Sequence, residues 1–181
     1  MDKCRKLIQL CIELLRELRD LTPGRGAEEW LNRTYGPTSD TYRELATMIR
    51  NGVEEGWAAN GEVHGRRYRR SQLCPPSDET LHFSITAVYI DSMACSEAAQ
   101  ESFRGDYHGH PYGEFNLIVP LHEGAQLAGP NGWCHAGWTA PPPGSHHYPE
   151  VRGGAVIALF FLPAGRISYV APPIQAMNEP I

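Results

Sequence analysis

The chain has 181 residues with a formal net charge of -5, 41% hydrophobic and 20% charged residues. That length suits one ordinary domain, and the composition suits a folded protein rather than a disordered one. The acidic balance excludes a broad basic nucleic-acid footprint, and no run approaches the ~20 apolar residues that a helical membrane span needs.

The first segment reads as a helix. Cys4, Leu7, Cys11, Leu14, Leu15 and Leu18 recur at steps of three and four, and Thr22-Pro23-Gly24 ends the pattern. Its charges, from Lys3 to Arg19, do not resemble a secretory leader. A short helix is expected around Ala27 to Asn32. A longer one is expected from Tyr42 to Trp57, with Ser39, Asp40 or Thr41 as its cap and Thr41 with Glu44 at capping-box spacing. After Asn60-Gly61 the helical period stops. Glu62 to Leu73, Leu81 to Ile90, Glu114 to Leu121, Gly154 to Leu162 and Arg166 to Val170 read as strands between Gly and Pro clusters. Helices followed by strands predict an α+β protein: a helical segment over 1–60, a β region over 61–170 and a Pro-rich tail over 171–181. The five cysteines include no CxxC pair, so free thiols and a cytoplasmic setting are expected.

Six of the eight histidines lie between His108 and His147. His108 and His110 are two apart, so on a strand they share a face. Pro111-Tyr112-Gly113 is turn chemistry that returns Glu114 to the same side. Two imidazoles and a carboxylate converging on one point suit a metal ion, and His147, after a Pro-rich turn, is the natural fourth ligand. The donor set accommodates Fe, Mn, Zn, Ni or Co without choosing among them.

His108-x-His110-x3-Glu114 resembles the first motif of the cupin superfamily, and Pro142-x-Gly144-x2-His147 the core of the second. The resemblance implies a small antiparallel β-barrel (a double-stranded β-helix), with the metal held inside by His108, His110, Glu114 and His147. The second motif departs from the pattern: Gly137 sits one residue too near, the asparagine after the histidine is missing, and His146 is a rival ligand. Most of the chain is similar to the 4-hydroxylaminobenzoate lyase family. The similarity is carried by Trp30-Leu-Asn-Arg-Thr-Tyr-Gly-Pro, the run from Gly129 through Trp133, Trp138 and Tyr148 to Gly154, and Phe160 to Tyr169. It implies conversion of 4-hydroxylaminobenzoate to protocatechuate and ammonia, and cupins commonly pair as homodimers. The competing readings are a metal-dependent cupin dioxygenase of a catechol or aminophenol acid, and a non-catalytic binder of aromatic acids.

Within that expectation, unliganded His146 or Glu150 would shuttle protons. Trp133, Trp138 and Tyr148 could stack an aromatic ring. An aromatic acid needs a cationic anchor, to be sought among Arg67, Arg69, Arg152 and Arg166. On a strand Arg67 and Arg69 share one face, and Arg66 and Arg70 the other.

Overall fold

The computed structural model describes residues 2–93 and 102–170. The tail over 171–181 and Cys95 lie outside the described residues. Three helices lead: α1 (Lys3–Leu18), α2 (Arg25–Thr34) and α3 (Asp40–Glu54). The expected stripe of α1 is buried at Leu7, Cys11, Leu14, Leu15 and Leu18, while Cys4 at its start is half-buried. Ser39 caps α3 by accepting from the Tyr42 amide at 3.1 Å, so Thr41 is already inside the helix and forms no capping box. The helix also stops short of Trp57. Gly56, at φ +79, reverses the chain, and the Trp57 ring folds back onto Gly52, where a β-carbon would come within 2.6 Å of the indole.

The strands are β1 (Gly61–His64), β2 (Tyr68–Cys74), β3 (Phe83–Asp91), β4 (Ser102–Arg104), β5 (His108–His110), β6 (Phe115–Pro120), β7 (Gln126–Gly129), β8 (Gly132–Cys134), β9 (Gly137–Thr139), β10 (Ser145–His147), β11 (Glu150–Arg152) and β12 (Ala155–Pro163). Two expectations are corrected. Glu62 to Leu73 is a hairpin rather than one strand, because the chain turns at Gly65 with φ +57 and pairs β1 with β2. Arg166 to Val170 makes only an isolated bridge, Ser168 with Gly109.

All strand pairs are antiparallel, in a six-stranded sheet of order β1-β2-β3-β12-β6-β9, a four-stranded sheet of order β4-β11-β7-β8, and the β10-β5 ribbon. The strands do not join into one continuous hydrogen-bonded barrel. Instead the six-stranded sheet has two apolar faces, set by the two-residue period of its strands. Ile85, Ala87, Leu117, Ile157, Leu159 and Phe161 pack against Leu7, Leu15, Leu45 and Ile49 of the helices. Val88, Ile90, Ile118, Val156 and Ala158 face Leu127 and Val151 of the four-stranded sheet. This is an α+β arrangement, as expected, with facing antiparallel sheets preceded in the chain by three helices. Helix α2 finishes the β9 edge: the Asn32 amide bonds both the N–H and the C=O of Trp138 at 2.9 Å, as a further strand would. No helix among the described residues is long and apolar enough to cross a membrane, and the described cysteines Cys4, Cys11, Cys74 and Cys134 are free thiols.

Candidate metal centre

The β5–β10 ribbon pairs His147 with His108, Gly109 with His146, and Ser145 with His110. Side chains directly across an antiparallel pair share a face, so His108, His110 and His147 turn one way and His146 the other. The ring of His146 covers Gly109, where a β-carbon would come within 2.6 Å of Nδ1. It then lies near-parallel to Tyr107 at 6.0 Å. The rivalry between the adjacent histidines is thus resolved by register, and His147 is the one that joins the pair.

Glu114 arrives by the turn that the sequence suggests. The Gly113 amide donates to His110 O at 3.2 Å, Gly113 takes φ +74, and the Glu114 amide donates to Pro141 O at 3.1 Å. The ligand atoms of His108, His110, Glu114 and His147 all lie within 4.8 Å of one another. His108, His110 and Glu114 are essentially inaccessible to solvent.

The tautomers follow from the partners. His108 Nδ1 is 2.9 Å from the carbonyl of Asp106, which can only accept, so Nδ1 carries the proton. Ser145 Oγ donates to Pro142 O, so it accepts from His110 Nδ1 at 3.0 Å. Both Nε2 atoms therefore turn lone pairs into the cluster. There, His108 Nε2 stands 3.2 Å from His147 Nε2, and His110 Nε2 stands 3.2 Å from Glu114 Oε1. His110 Nε2 and Glu114 Oε2 find no hydrogen-bond partner among the described residues. Lone pairs set against lone pairs in a buried site need a proton or a cation between them. These four residues fit a divalent metal ion.

Protonation points the same way. Burial alone would push the Glu114 carboxyl up, but the facing rings of His110, His108 and His147 bring it down to about 2. Burial pushes His147 down to about 3, with His108 and His110 adding to the fall. Burial also lowers His108; Glu114 opposes that fall and His110 assists it. An ionised Glu114 and neutral His108 and His147 are the ligating forms of those groups.

Sequence reasoning passed over the support of this cluster. Asn116, on the same face of β6 as Glu114, donates from Nδ2 to Glu114 Oε1 at 2.8 Å and lies 3.3 Å from Thr139 Oγ1. A polar residue inside the apolar run Phe115–Pro120 was the available signal. The Asp106 carbonyl left no such trace.

A cavity of about 400 Å³ opens beside His108 on the inner face of the six-stranded sheet, with Arg70, Ser84, Thr86, Phe160 and Tyr169 in its wall. None of the expected substrate contacts lines it. Arg67 lies 4.4 Å over Phe103 and bonds the Ser92 carbonyl, and Arg69 lies 4.3 Å over Tyr89. The alternation of β2 sends Tyr68 and Arg70 inward instead. Trp138 is buried on the helix side, 6.1 Å from Phe161, with its indole N–H donating to Tyr35 O at 2.6 Å. Glu150 bonds Arg104 at 2.8 Å and Ser102 at 2.6 Å, on the face of β11 opposite Val151. Arg152 on that face bonds Gln126 and covers Trp133 at 4.1 Å. Tyr148 packs 4.9 Å from Tyr107. Glu150 and His146 are therefore turned away from the cluster.

A family model described as PnbB, 4-hydroxylaminobenzoate lyase, matches residues 9–169. A 4-hydroxylaminobenzoate lyase of Pseudomonas putida is 59% identical over 170 residues, covering 93% of this chain and 97% of the relative. One of Nocardioides sp. (strain LMS-CY) is 57% identical over 176 residues, covering 97% of this chain and 100% of the relative. Among solved structures, one of the DMSP lyases RdDddP and RnDddQII aligns with TM-score 0.44 at 16% identity, over 93% of this chain and 98% of that one. An oxalate oxidase bound to glycolate aligns with TM-score 0.40 at 15% identity, over 62% of this chain and 59% of that one.

Proposed function

The chain belongs to the 4-hydroxylaminobenzoate lyase family, and from that premise we propose that it converts 4-hydroxylaminobenzoate to 3,4-dihydroxybenzoate (protocatechuate) and ammonia in the breakdown of nitroaromatic acids. The near-full-length match to relatives carrying that activity is the observation that supports this reading most. The reaction consumes one water overall and needs no external oxidant. Protonation and cleavage of N–O release one water and leave an electron-poor, quinone-imine-like ring. Water adds beside the nitrogen-bearing carbon, and a second water replaces the nitrogen.

In this reading His108, His110, Glu114 and His147 hold a divalent ion, which could be Fe, Mn, Zn, Ni or Co. Bound there, the ion supplies Lewis-acid stabilisation for the charge that builds on the hydroxylamine oxygen. The chain's own residues do the rest. The carbonyl of Asp106 and the hydroxyl of Ser145 keep the protons of His108 and His110 on Nδ1, and Asn116 orients the Glu114 carboxylate. The walls of the cavity, Phe160 and Leu162 among them, surround the ring with apolar surface and limit the water that reaches the cationic intermediate.

The enzyme is also read as a cytoplasmic homodimer working on a small aromatic acid, without nucleic-acid or membrane partners. The free thiols and the family resemblance support that reading. The test of the reaction is product analysis on 4-hydroxylaminobenzoate with oxygen monitored. Equal yields of ammonia and protocatechuate without oxygen uptake are expected; oxygen consumed in step with turnover would point to a dioxygenase instead.

A further inference from the structure

Arg70 stands on β2 two residues beyond Tyr68, and the two-residue period carries both to the inner face of the six-stranded sheet. No carboxylate lines the cavity, and Arg70 is its one guanidinium among the described residues. Its Nη1 donates to the phenol oxygen of Tyr169, and the guanidinium carbon lies 5.5 Å from that ring's centre. Tyr169 is held in turn: Ser168 and Gly109 exchange backbone hydrogen bonds of 2.8 and 2.9 Å, which seats the tyrosine ring 5.8 Å from that of His108. The same wall contains Ser84, whose fully buried hydroxyl has no hydrogen-bond partner among the described residues. The cavity wall thus carries an exposed cation, Arg70, and the His108 imidazole, with Tyr169 in contact with both and an unused buried hydroxyl beside them.

We propose that Arg70, held in place by Tyr169, is the anchor for the substrate's carboxylate, so that a para-substituted benzoate lies with its acid group on the guanidinium and its nitrogen toward His108. The proposal rests on the reading of the cavity as the site for 4-hydroxylaminobenzoate. A guanidinium offers a planar fork that matches a carboxylate in two parallel hydrogen bonds, which a neutral amide in the same place cannot match in strength. The cavity therefore selects para-substituted aromatic acids over the corresponding amides. The phenol of Tyr169 serves as a positioning residue, holding the fork open toward the cavity.

The test is titration calorimetry of the full chain, as purified, with 4-aminobenzoate and with 4-aminobenzamide. Both present the para nitrogen, and neither has an N–O bond to break. Wild-type protein is expected to bind the acid more tightly than the amide. R70Q is expected to weaken the acid by roughly tenfold to a hundredfold and to leave the amide unchanged. R70K, which keeps the charge and loses the fork, is expected to fall between, and Y169F to weaken the acid less than R70Q does. The Michaelis constant for 4-hydroxylaminobenzoate should rise in R70Q by the same factor as the acid's dissociation constant, with kcat moving less. Equal loss of acid and amide in R70Q, or no preference for the acid in the wild type, overturns the anchor. If 4-aminobenzoate binding depends on Arg70 but 4-hydroxylaminobenzoate is not turned over, the anchor stands and the lyase reading fails. Turnover with a Michaelis constant indifferent to R70Q keeps the lyase and removes the anchor.

Discussion

The two faces of the six-stranded sheet are built from the same strands, one residue out of step, and they do opposite work. Toward the helices, β3, β6 and β12 present Ile85, Leu117, Leu159 and Phe161, hydrocarbon against hydrocarbon. Toward the four-stranded sheet the same strands present Ser84, Thr86 and Asn116 alongside Val88 and Phe160, and the imidazole cluster and its cavity lie on that side. The first face stabilises the fold by burying apolar area. The second accepts unpaired polar atoms, at His110, Glu114 and Ser84, that a structural core would not retain. Stability and chemistry are separated by the pleat, so substitutions on adjacent residues should have separable consequences.

The largest effect is expected on the inner face. Replacing His108 or His110 by alanine should cost about 4 kcal/mol of transition-state stabilisation, roughly a thousandfold in turnover. Metal content should fall with it while the folded state persists. Ammonia release and elemental analysis on one preparation check this, and full activity without metal would break the comparison. On the outer face, Trp138→Ala should destabilise the fold by about 3–5 kcal/mol and leave metal content per folded chain unchanged. Urea unfolding followed by metal assay measures both. Asn116→Leu should weaken metal affinity by about 10–100-fold through loss of its hydrogen bond to Glu114, with less effect on unfolding; competition with a chelator reads it out.

A pH effect should be smaller and of fixed sign. His147 titrates at about 3 in the folded chain, against an ordinary value of 6.5. The unfolded chain therefore binds more protons between those values. The metal-free protein has this stability in full above pH 6.5 and loses it as the pH falls toward 3. Glu114, lowered from 4.5 to about 2, adds a loss of the same sign at lower pH. Urea midpoints of chelated protein at pH 7 and pH 5 check the direction; a higher midpoint at pH 5 would contradict it. The smallest change is expected from Arg152→Gln, whose side chain bonds Gln126 and covers Trp133 away from the cluster, and which should alter turnover by less than about twofold.

What was legible in the chain followed local period. His108, His110 and Glu114 could be placed together because a strand, a Pro-Gly turn and a strand define their side without reference to the rest of the fold. The choice between His146 and His147 could not be made that way. It depends on pairing with β5, and a slip of one residue would exchange them. The arginines show the same limit. Alternation divided Arg67 and Arg69 from Arg70, but which set looks inward is decided by the sheet that faces β2. Trp138 lies in the segment that carries the family likeness, yet its place at the β9 edge under α2 makes it core. The hairpin at Gly65 was hidden by the continuous polar run around it.

The most direct test of the account is to follow ammonia and protocatechuate release by the full-length protein before chelation, after chelation, and after restoring a divalent ion. Loss of both products on chelation and their joint return at about one ion per chain is the predicted result. Undiminished product formation by protein shown to be free of metal would contradict it.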